Sequence, residues 1–340
     1  MKKYMTPINI CGQLVGDGFP TYIIAEVGIN HNGDVSLAKD MVRAAWESGA
    51  DAVKIQTFIT RDFLHPSHPG YQYDIDAEIS HEDEQEIWEF ARKNGINLFS
   101  TPEDYKSLQF IQKQNPCLIK IAAMDFNYQE MVQNASKLLK PILLSTGMST
   151  MEEVLQTVRW VEETGNKDYI ILHCVSCYPT SPGSCNLKAI QTMKQVLDCP
   201  VGFSDHTQGI HIPLAAVAMG ANVIEKHFTN DKKLPGPDQH CSIDSTDLKQ
   251  LISHIRDLEL AIGSGKKVPA PEEDEPRQYK RRGVYAIKDL DSGTMLRRKD
   301  VTFFAPSKPG STVTDWRLME HRILKNKVRE MEPIYLSDLN

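Results

Sequence analysis

Between residues 22 and 262, eight short apolar runs alternate with eight amphipathic patterns of helical spacing. A regular alternation of strand and helix predicts a parallel sheet, and eight repeats match the count of a (β/α)8 TIM barrel. The predicted strands span residues 22–26, 52–56, 98–101, 118–121, 142–146, 169–173, 201–204 and 223–226. The predicted helices span residues 35–48, 82–93, 104–112, 128–138, 150–163, 187–196, 209–219 and 245–262. A doubly wound open sheet is the alternative, but no Gly-x-Gly-x-x-Gly turn follows the first strand.

The segments that flank this region have a different character. Residues 1–20 are predicted to form an N-terminal hairpin or cap, so that the barrel domain covers residues 1–262. Residues 263–280 are small, charged and proline-rich, which predicts an interdomain linker. Residues 281–340 contain a faint internal repeat, in which residues 287–291 are echoed by residues 328–332. A duplicated small β-rich domain is the simplest interpretation of this tail.

The bulk composition excludes several classes of function. Hydrophobic residues make up 41% of the chain and charged residues 24%, which is typical of a globular protein. The net charge of −7 argues against nucleic acid as the main partner. No apolar run approaches the ~18 residues of a membrane span, and no apolar signal core follows the first residues. We therefore expect a cytoplasmic protein with no membrane partner.

The seven cysteines are scattered and do not have the spacing of a disulfide framework. We expect the cysteines at 11, 117, 174, 185, 199 and 241 to be reduced, mostly buried thiols. Cys174 and Cys177 form a Cys-x-x-Cys motif, which would be compatible with zinc or redox chemistry. No second pair stands at the spacing of a zinc knuckle, so the motif alone does not indicate a site.

Two histidines follow neighbouring predicted strands at matching positions. His206 comes just after strand seven and His227 just after strand eight. The carboxyl ends of parallel barrel strands meet at one rim, so both imidazoles should lie there together. A single rim histidine is more often a satisfied polar residue. A pair favours a metal site, because neutral imidazole is the commonest protein ligand of transition metals.

Polar side chains at the other predicted strand ends indicate a site for a small anion. Two lysines and three hydroxyl residues converge there, and Gly147 would let backbone amides approach an anion. These five positions are Lys54, Thr101, Lys120, Ser145 and Ser204. Asp238 lies in a rigid turn after strand eight, and residues 66–73 are predicted to be an irregular loop. An anion beside a metal would place an anionic substrate next to a Lewis acid.

At these strand ends the sequence resembles the sialic acid synthases, or nonulosonic acid synthases, which condense phosphoenolpyruvate with an N-acyl amino sugar. The matching motifs run in order through nearly the whole barrel. They are Glu26-Val-Gly-Ile-Asn-His-Asn-Gly33, Lys54-Ile-Gln56, Ser100-Thr-Pro102, Ile119-Lys120-Ile121, Ser145-Thr-Gly-Met148, His173-Cys174 with Tyr178-Pro179, Gly202-Phe-Ser-Asp-His206-Thr207, Glu225-Lys-His227 and Gly236-Pro-Asp238. The tail from about Arg281 is similar to the small antifreeze-like (SAF) domain that ends these enzymes.

The resemblance implies roles for particular residues. His206 and His227 would hold a divalent metal, manganese in the first place, with Mg²⁺ or Co²⁺ as alternatives. The catalytic set would comprise these histidines with Glu26 and Asp125. The phosphoenolpyruvate ligands would be Lys54, Thr101, Lys120, Ser145, Ser176 and Ser204. The sugar contacts would be Glu26, Gln56, Tyr178, Asp238 and Lys308. Family members form domain-swapped homodimers, in which the tail of one chain covers the barrel of its partner.

The chain also departs from the family pattern. Ala122-Ala123-Met124-Asp125 stands where Gly-Ser-Gly-Glu is common, which removes one hydroxyl and shortens the acid by one carbon. Ser176 replaces a common asparagine, and Lys308 replaces an arginine whose planar fork it cannot copy. The acceptor sugar is therefore left open.

Two alternatives follow from the same residues. One is a Schiff-base aldolase that uses Lys54 or Lys120, since both lysines lie at barrel strand ends. The other is a carbohydrate-binding protein that kept the fold but lost turnover.

Overall fold

The computed structural model describes residues 6–305 and 311–340, and the chain divides after Gly263 into two compact units. The strands of the first unit are β1 (Ile8–Ile10), β2 (Gln13–Val15), β3 (Tyr22–Gly28), β4 (Ala52–Thr57), β5 (Leu98–Pro102), β6 (Ile119–Ile121), β7 (Ile142–Ser145), β8 (Tyr169–Cys174), β9 (Val201–Asp205) and β10 (Val223–His227). Its helices are α1 (Val35–Glu47), α2 (Thr60–Phe63), α3 (Tyr71–Ala77), α4 (His81–Lys93), α5 (Tyr105–Gln114), α6 (Gln129–Ser136), α7 (Met151–Glu163), α8 (Lys188–Val196), α9 (His211–Ala218) and α10 (Ser245–Ile262).

Among the described residues, eight parallel strands form one sheet in the order β5-β4-β3-β10-β9-β8-β7-β6. Strands β5 and β6 lie side by side, which brings the two ends of the sheet together. All eight predicted strands and their following helices are present within a few residues of the expected bounds. The prediction of a (β/α)8 TIM barrel is therefore confirmed.

Helix α1 illustrates why the alternating pattern folds as it does. Asp34 is its N-cap, and the carboxylate accepts hydrogen bonds from the amides of Ser36 and Leu37. Apolar residues at helical spacing bury one face against the sheet. Gly49 follows with φ of +97°, a left-handed conformation that ends the helix and turns the chain into β4.

The loop after β4 differs from its prediction. Residues 66–73 were expected to be irregular, but helix α3 begins at Tyr71, and α2 precedes it. The helix forms because Tyr73 and Ala77 pack on the apolar cluster of Ile29 and Phe58, a tertiary contact that local sequence does not reveal.

The N-terminal hairpin caps the amino end of the barrel. Ile8, Ile10 and Val15 of β1 and β2 pack with inward-facing strand residues in a separate apolar cluster. Cys11, in the turn between these strands, forms a disulfide with Cys117, whose Cα lies 5.4 Å away. The expectation that both cysteines are reduced is thus wrong. Residues 106 positions apart become neighbours only when the hairpin folds against the segment before β6.

The second unit contains its own small core. Strands β11 (Gly283–Ala286) and β12 (Val301–Phe304) pair antiparallel, and its helices are α11 (Asp274–Lys280) and α12 (Trp316–Met319). Leu290 and Val328 exchange backbone hydrogen bonds, so the two copies of the predicted repeat pair with each other. Helix α11 lies within the predicted linker. Among the described helices, none is both long and apolar enough to cross a membrane.

Candidate active site

A cavity of about 200 Å³ opens at the carboxyl ends of the barrel strands. It brings together most of the predicted site residues, although they come from widely separated parts of the chain. Those that line it are Glu26, Lys54, Gln56, Thr101, Lys120, Ser145, Tyr178, Ser204, His206, His227 and Asp238. Each strand contributes inward-facing side chains at every second position, which explains how distant motifs share one wall.

A network of buried charges forms the floor of the cavity. Lys54 Nζ lies 2.7 Å from Glu26 Oε2 and donates a hydrogen bond to Thr101 Oγ1 at 2.8 Å. Lys120 Nζ lies 3.1 Å from Glu225 Oε1, which also accepts a hydrogen bond from Ser204 at 2.8 Å. The two lysines are therefore held in place before any ligand arrives.

The two carboxyl groups of this network have very different pKa values. Burial raises the pKa of Glu26 to about 7, although neighbouring Lys54 lowers it. Burial also opposes ionisation of Glu225, but Lys120 and Lys54 outweigh it and lower its pKa to about 2. Near neutral pH, Glu225 is a fixed anion, whereas Glu26 is able to gain or lose a proton.

The lysines face a patch of small and hydroxyl-bearing residues. Ser145 Oγ is buried and has no hydrogen-bond partner among the described residues. Gly147 lets the Ser176 hydroxyl approach the backbone closely, because a Cβ there would overlap Ser176 Oγ and lie 3.0 Å from Ala123 Cβ. A buried hydroxyl without a partner costs free energy, so the patch is suited to a polar ligand that supplies the missing bond.

The two predicted metal ligands meet at the rim. The rings of His206 and His227 are 5.2 Å apart between centroids. Burial lowers the pKa of His206 to about 4 and that of His227 well below its usual value, so both are neutral. His206 Nδ1 lies 2.9 Å from the carbonyl oxygen of Val175. Since a carbonyl only accepts, Nδ1 carries the proton and Nε2 presents its lone pair to the site.

The donor set fits a divalent metal bound by few protein ligands. His227 Nδ1 is buried and lacks a hydrogen-bond partner in the described part of the chain. Within residues 6–305 and 311–340, no group of three or more His, Cys, Asp or Glu side chains is arranged to hold a metal ion. Two imidazoles would therefore leave most coordination positions to substrate and water.

The outer part of the cavity contains two of the predicted sugar contacts, Tyr178 and Asp238. The Tyr178 ring lies 4.2 Å from that of His206 between centroids and is partly exposed. Asp238 Oδ2 lies 3.7 Å from His227 Nδ1, and burial raises the pKa of Asp238 to about 6. These groups offer an aromatic face and a carboxyl to a polar ligand that enters from solvent.

Two predicted residues in the described part of the chain do not line the cavity. Ser176 lies next to Gly147, and Asp125 is buried in the turn that contains Ala122 and Ala123, which do line the cavity. Lys308 lies outside the described residues, so its prediction stays untested.

Two buried glutamates also lie in this region, although the sequence analysis had not predicted them to be site residues. Glu225 precedes His227 by two positions on β10, and this period-two spacing was a signal that both face inward. Glu103 directly follows β5 and lies near Lys54 and Lys120. Glu103 occupies a single position after a strand, and no spacing in the sequence indicated that its side chain belongs to the site.

The fold and the cavity define a TIM-barrel protein with two buried lysines and a pair of neutral histidines at its mouth. Residues 41–267, more than half of the chain, match the NeuB family, and the chain belongs to that family.

Relatives of known name support this assignment. An N,N'-diacetyllegionaminic acid synthase of Legionella pneumophila is 39% identical over 86% of this chain and 87% of its own length. An N-acetylneuraminate-9-phosphate synthase of Mus musculus is 32% identical over 85% of this chain and 84% of its own length. The crystal structure of an N-acetylneuraminic acid synthetase from Leptospira borgpetersenii, in complex with citrate, superposes with a TM-score of 0.77 at 32% identity. That match covers 82% of this chain and 97% of the other.

Proposed function

We propose that this protein condenses phosphoenolpyruvate with the open-chain form of an N-acyl amino sugar and releases a nonulosonic acid and phosphate. The acceptor would be an N-acetylmannosamine-like sugar or a di-N-acyl trideoxyhexose. The observation that carries the proposal is the cavity itself, in which two fixed lysines and a partnerless hydroxyl lie beside two neutral imidazoles. The names of the relatives support the same class of product.

Phosphoenolpyruvate would occupy the charged floor. Lys54 and Lys120 would attract its carboxylate and phosphate, and hydroxyl groups would complete its hydrogen bonds. The proposed ligands are Lys54, Thr101, Lys120, Ser145, Ser176 and Ser204. Glu225 keeps both lysines oriented, so little reorganisation is needed when the anion binds.

His206 and His227 would hold a divalent metal, with Mn²⁺ preferred to Mg²⁺ or Co²⁺. When bound, such an ion supplies Lewis acidity toward the aldehyde oxygen of the acceptor. The chain's contribution is to present two imidazole lone pairs at a fixed separation and to shield them from bulk water. The hydrogen bond to the carbonyl of Val175 fixes the tautomer of His206.

The reaction requires several charges and protons to be managed by side chains. The enol carbon of phosphoenolpyruvate attacks the aldehyde carbon, water adds at C2, and phosphate leaves by cleavage of its C–O bond. The lysines would stabilise the anionic groups throughout. Glu26, with its pKa of about 7, and Asp125, with its pKa of about 6, would accept or donate protons. The sugar would contact Glu26, Gln56, Tyr178, Asp238 and Lys308.

Assembly is part of the proposal. By analogy with its family, the chain would form a homodimer in which the antifreeze-like tail of one protomer covers the barrel of the other. Light scattering of the full chain should give twice the mass of a protomer, whereas a monomeric mass would overturn this part.

The function is tested by phosphate release from phosphoenolpyruvate in the presence of a panel of N-acyl hexosamines and di-N-acyl trideoxyhexoses. Mass spectrometry of the product would identify the acid. We expect a chelator to abolish turnover and Mn²⁺ to restore it, and we expect His206→Ala to remove turnover without unfolding the barrel. Full activity after metal removal would contradict the metal role. Absence of phosphate release from every acceptor would contradict the function.

The Schiff-base alternative is not favoured. Burial opposes protonation of Lys54, but Glu225 and Glu26 outweigh it and raise its pKa. A lysine that must attack a carbonyl needs a lowered pKa instead. Borohydride should accordingly trap no adduct of the protein with its substrate.

A further inference from the structure

A buried ion pair joins the two strands that carry the histidines, and none of the proposed roles uses it. Lys226 Nζ lies 2.7 Å from Asp205 Oδ2, and both side chains are completely buried. Asp205 directly precedes His206, and Lys226 directly precedes His227. Because side chains alternate along a strand, the histidines face the cavity, whereas the ion pair lies on the outer face of the sheet.

The strand register makes this pair a direct contact between neighbouring strands. Asp205 on β9 and Lys226 on β10 occupy paired positions of the two parallel strands. The Lys226 ammonium also donates a hydrogen bond to the carbonyl oxygen of Thr207. Strand β10 is therefore tied to the residues on both sides of His206. A fully buried charge needs both its ion pair and its hydrogen bonds, so other positions of this segment would be costly.

The segment around His206 is held by further hydrogen bonds. Asp205 Oδ1 accepts one from the amide of Thr207 at 2.9 Å, and Oδ2 accepts one from its hydroxyl at 3.1 Å. In the loop after β8, the amide of Thr180 donates to the carbonyl oxygen of His206 at 2.9 Å. The backbone of His206 is thus fixed on both sides, and its ring is held by the contact of Nδ1 with the carbonyl oxygen of Val175.

We propose that Asp205 and Lys226 are positioning residues that set the separation of the two imidazoles and thereby the affinity of the site for a divalent metal. This inference rests on the proposed function, which assigns the metal to His206 and His227. Two ligands bind one ion together only at a suitable distance, and these ring centroids are 5.2 Å apart. Because the ion pair joins the strand ends that carry both rings, its loss would let the rings move independently.

Titration of the metal-free protein with Mn²⁺, followed by the electron paramagnetic resonance of the free ion, tests the inference. Lys226→Met alone would leave a buried carboxylate without its cation, which should destabilise the fold strongly. The test therefore uses Asp205→Asn/Lys226→Met, which removes both charges and keeps an acceptor for the Thr207 amide. We expect the Kd for Mn²⁺ to rise about tenfold or more. Asp205→Asn alone keeps an acceptor for Lys226 and should give a smaller rise.

Lys194→Met provides a matched control, because it makes the same change near the opposite end of β10. Lys194 forms an ion pair with Asp17. It also donates hydrogen bonds to the carbonyl oxygen of Gly220 at 2.7 Å and to Asn222 Oδ1 at 3.1 Å, just before β10 begins. We expect this variant to keep the wild-type Kd for Mn²⁺. A wild-type Kd in the folded double variant would overturn the inference, and so would an equal rise in Lys194→Met.

A readout that needs no metal separates this inference from the proposed function. Heteronuclear NMR spectra of the histidine rings report their tautomers in the metal-free protein. In wild type, His206 should carry its proton on Nδ1, and in the double variant the share of this tautomer should fall. Unchanged ring resonances of both histidines would overturn the inference. If wild type binds no Mn²⁺, the proposed metal role fails, and the ring spectra still decide whether the ion pair positions the imidazoles.

Discussion

The two ends of the barrel interior are made by the same strands, yet their inward-facing side chains have opposite chemistry. At the amino end these side chains are apolar and pack under the N-terminal hairpin. Two positions further along six of the eight strands, they are charged or hydroxyl-bearing. The apolar members are Ile24, Ala52, Phe99, Leu118, Leu143 and Val223, and the polar ones two positions later are Glu26, Lys54, Thr101, Lys120, Ser145 and Glu225.

This contrast shows how one set of strands separates stability from ligand binding. The apolar end stabilises the fold through packing and the removal of apolar surface from water. Burying charges at the carboxyl end costs free energy, which the ion pairs of Lys54 and Lys120 offset only in part. Such a polar mouth is compatible with folding because the opposite end and the outer helices supply the core.

The largest effect on turnover should come from removing a charge at the mouth. Lys120→Met removes a cation proposed to hold the anionic substrate, and we expect phosphate release to fall at least about 10³-fold. The exposed Lys113 of α5 provides a matched control, since Lys113→Met makes the same chemical change away from the cavity. Steady-state kinetics of both variants would check this, and near-normal turnover by Lys120→Met would contradict the assignment of the floor.

A side-chain truncation at the amino end of the barrel should lower stability and leave turnover unchanged. Leu143 is fully buried in the apolar cluster, so Leu143→Ala should lower the free energy of unfolding by about 3 kcal/mol. Urea denaturation measures this loss. The kcat of the folded variant should stay close to wild type, and a large fall in kcat would mean that the two ends are coupled.

A buried carboxyl outside the mouth should produce the smallest effect. Glu84 of α4 accepts hydrogen bonds at Oε1 from Thr57 and Trp88, and burial raises its pKa to about 7 against these bonds. The folded state keeps this proton to higher pH than the unfolded chain does. Stability should therefore fall as the pH rises from about 4.5 to about 7.

Glu84→Gln keeps Oε1 as an acceptor but cannot ionise. Across this interval, its free energy of unfolding should rise by about 2–3 kcal/mol relative to that of wild type. Thermal unfolding at several pH values checks this, and parallel curves for the two proteins would contradict it.

Periodicity predicted nearly all of the barrel because each strand and helix follows from local spacing. Local pattern failed where a contact between distant segments decides the structure. Helix α3 depends on packing against Ile29 and Phe58, and the disulfide of Cys11 depends on the position of Cys117. In both cases the contacting residues are far apart in sequence, so no short segment of the chain predicts the contact.

The candidate site was likewise predictable only in part from the sequence. Its lysines, hydroxyls and histidines were predictable, since residues after parallel strands meet at one rim. Their pairing was not, because it depends on which inward positions become neighbours around the barrel. Glu225 lies between Lys54 and Lys120, and Glu103 accepts a hydrogen bond from Gln56 of the neighbouring strand.

The sequence by itself determined the strand and helix periods, and with them the barrel and the rim at which its polar residues gather. Only the tertiary structure decided the charge state of those residues. Protonation depends on burial and on the distance to neighbouring charges, and both are properties of the folded chain. Glu26 and Glu225 have the same side chain, and their surroundings alone raise the pKa of one to about 7 and lower that of the other to about 2.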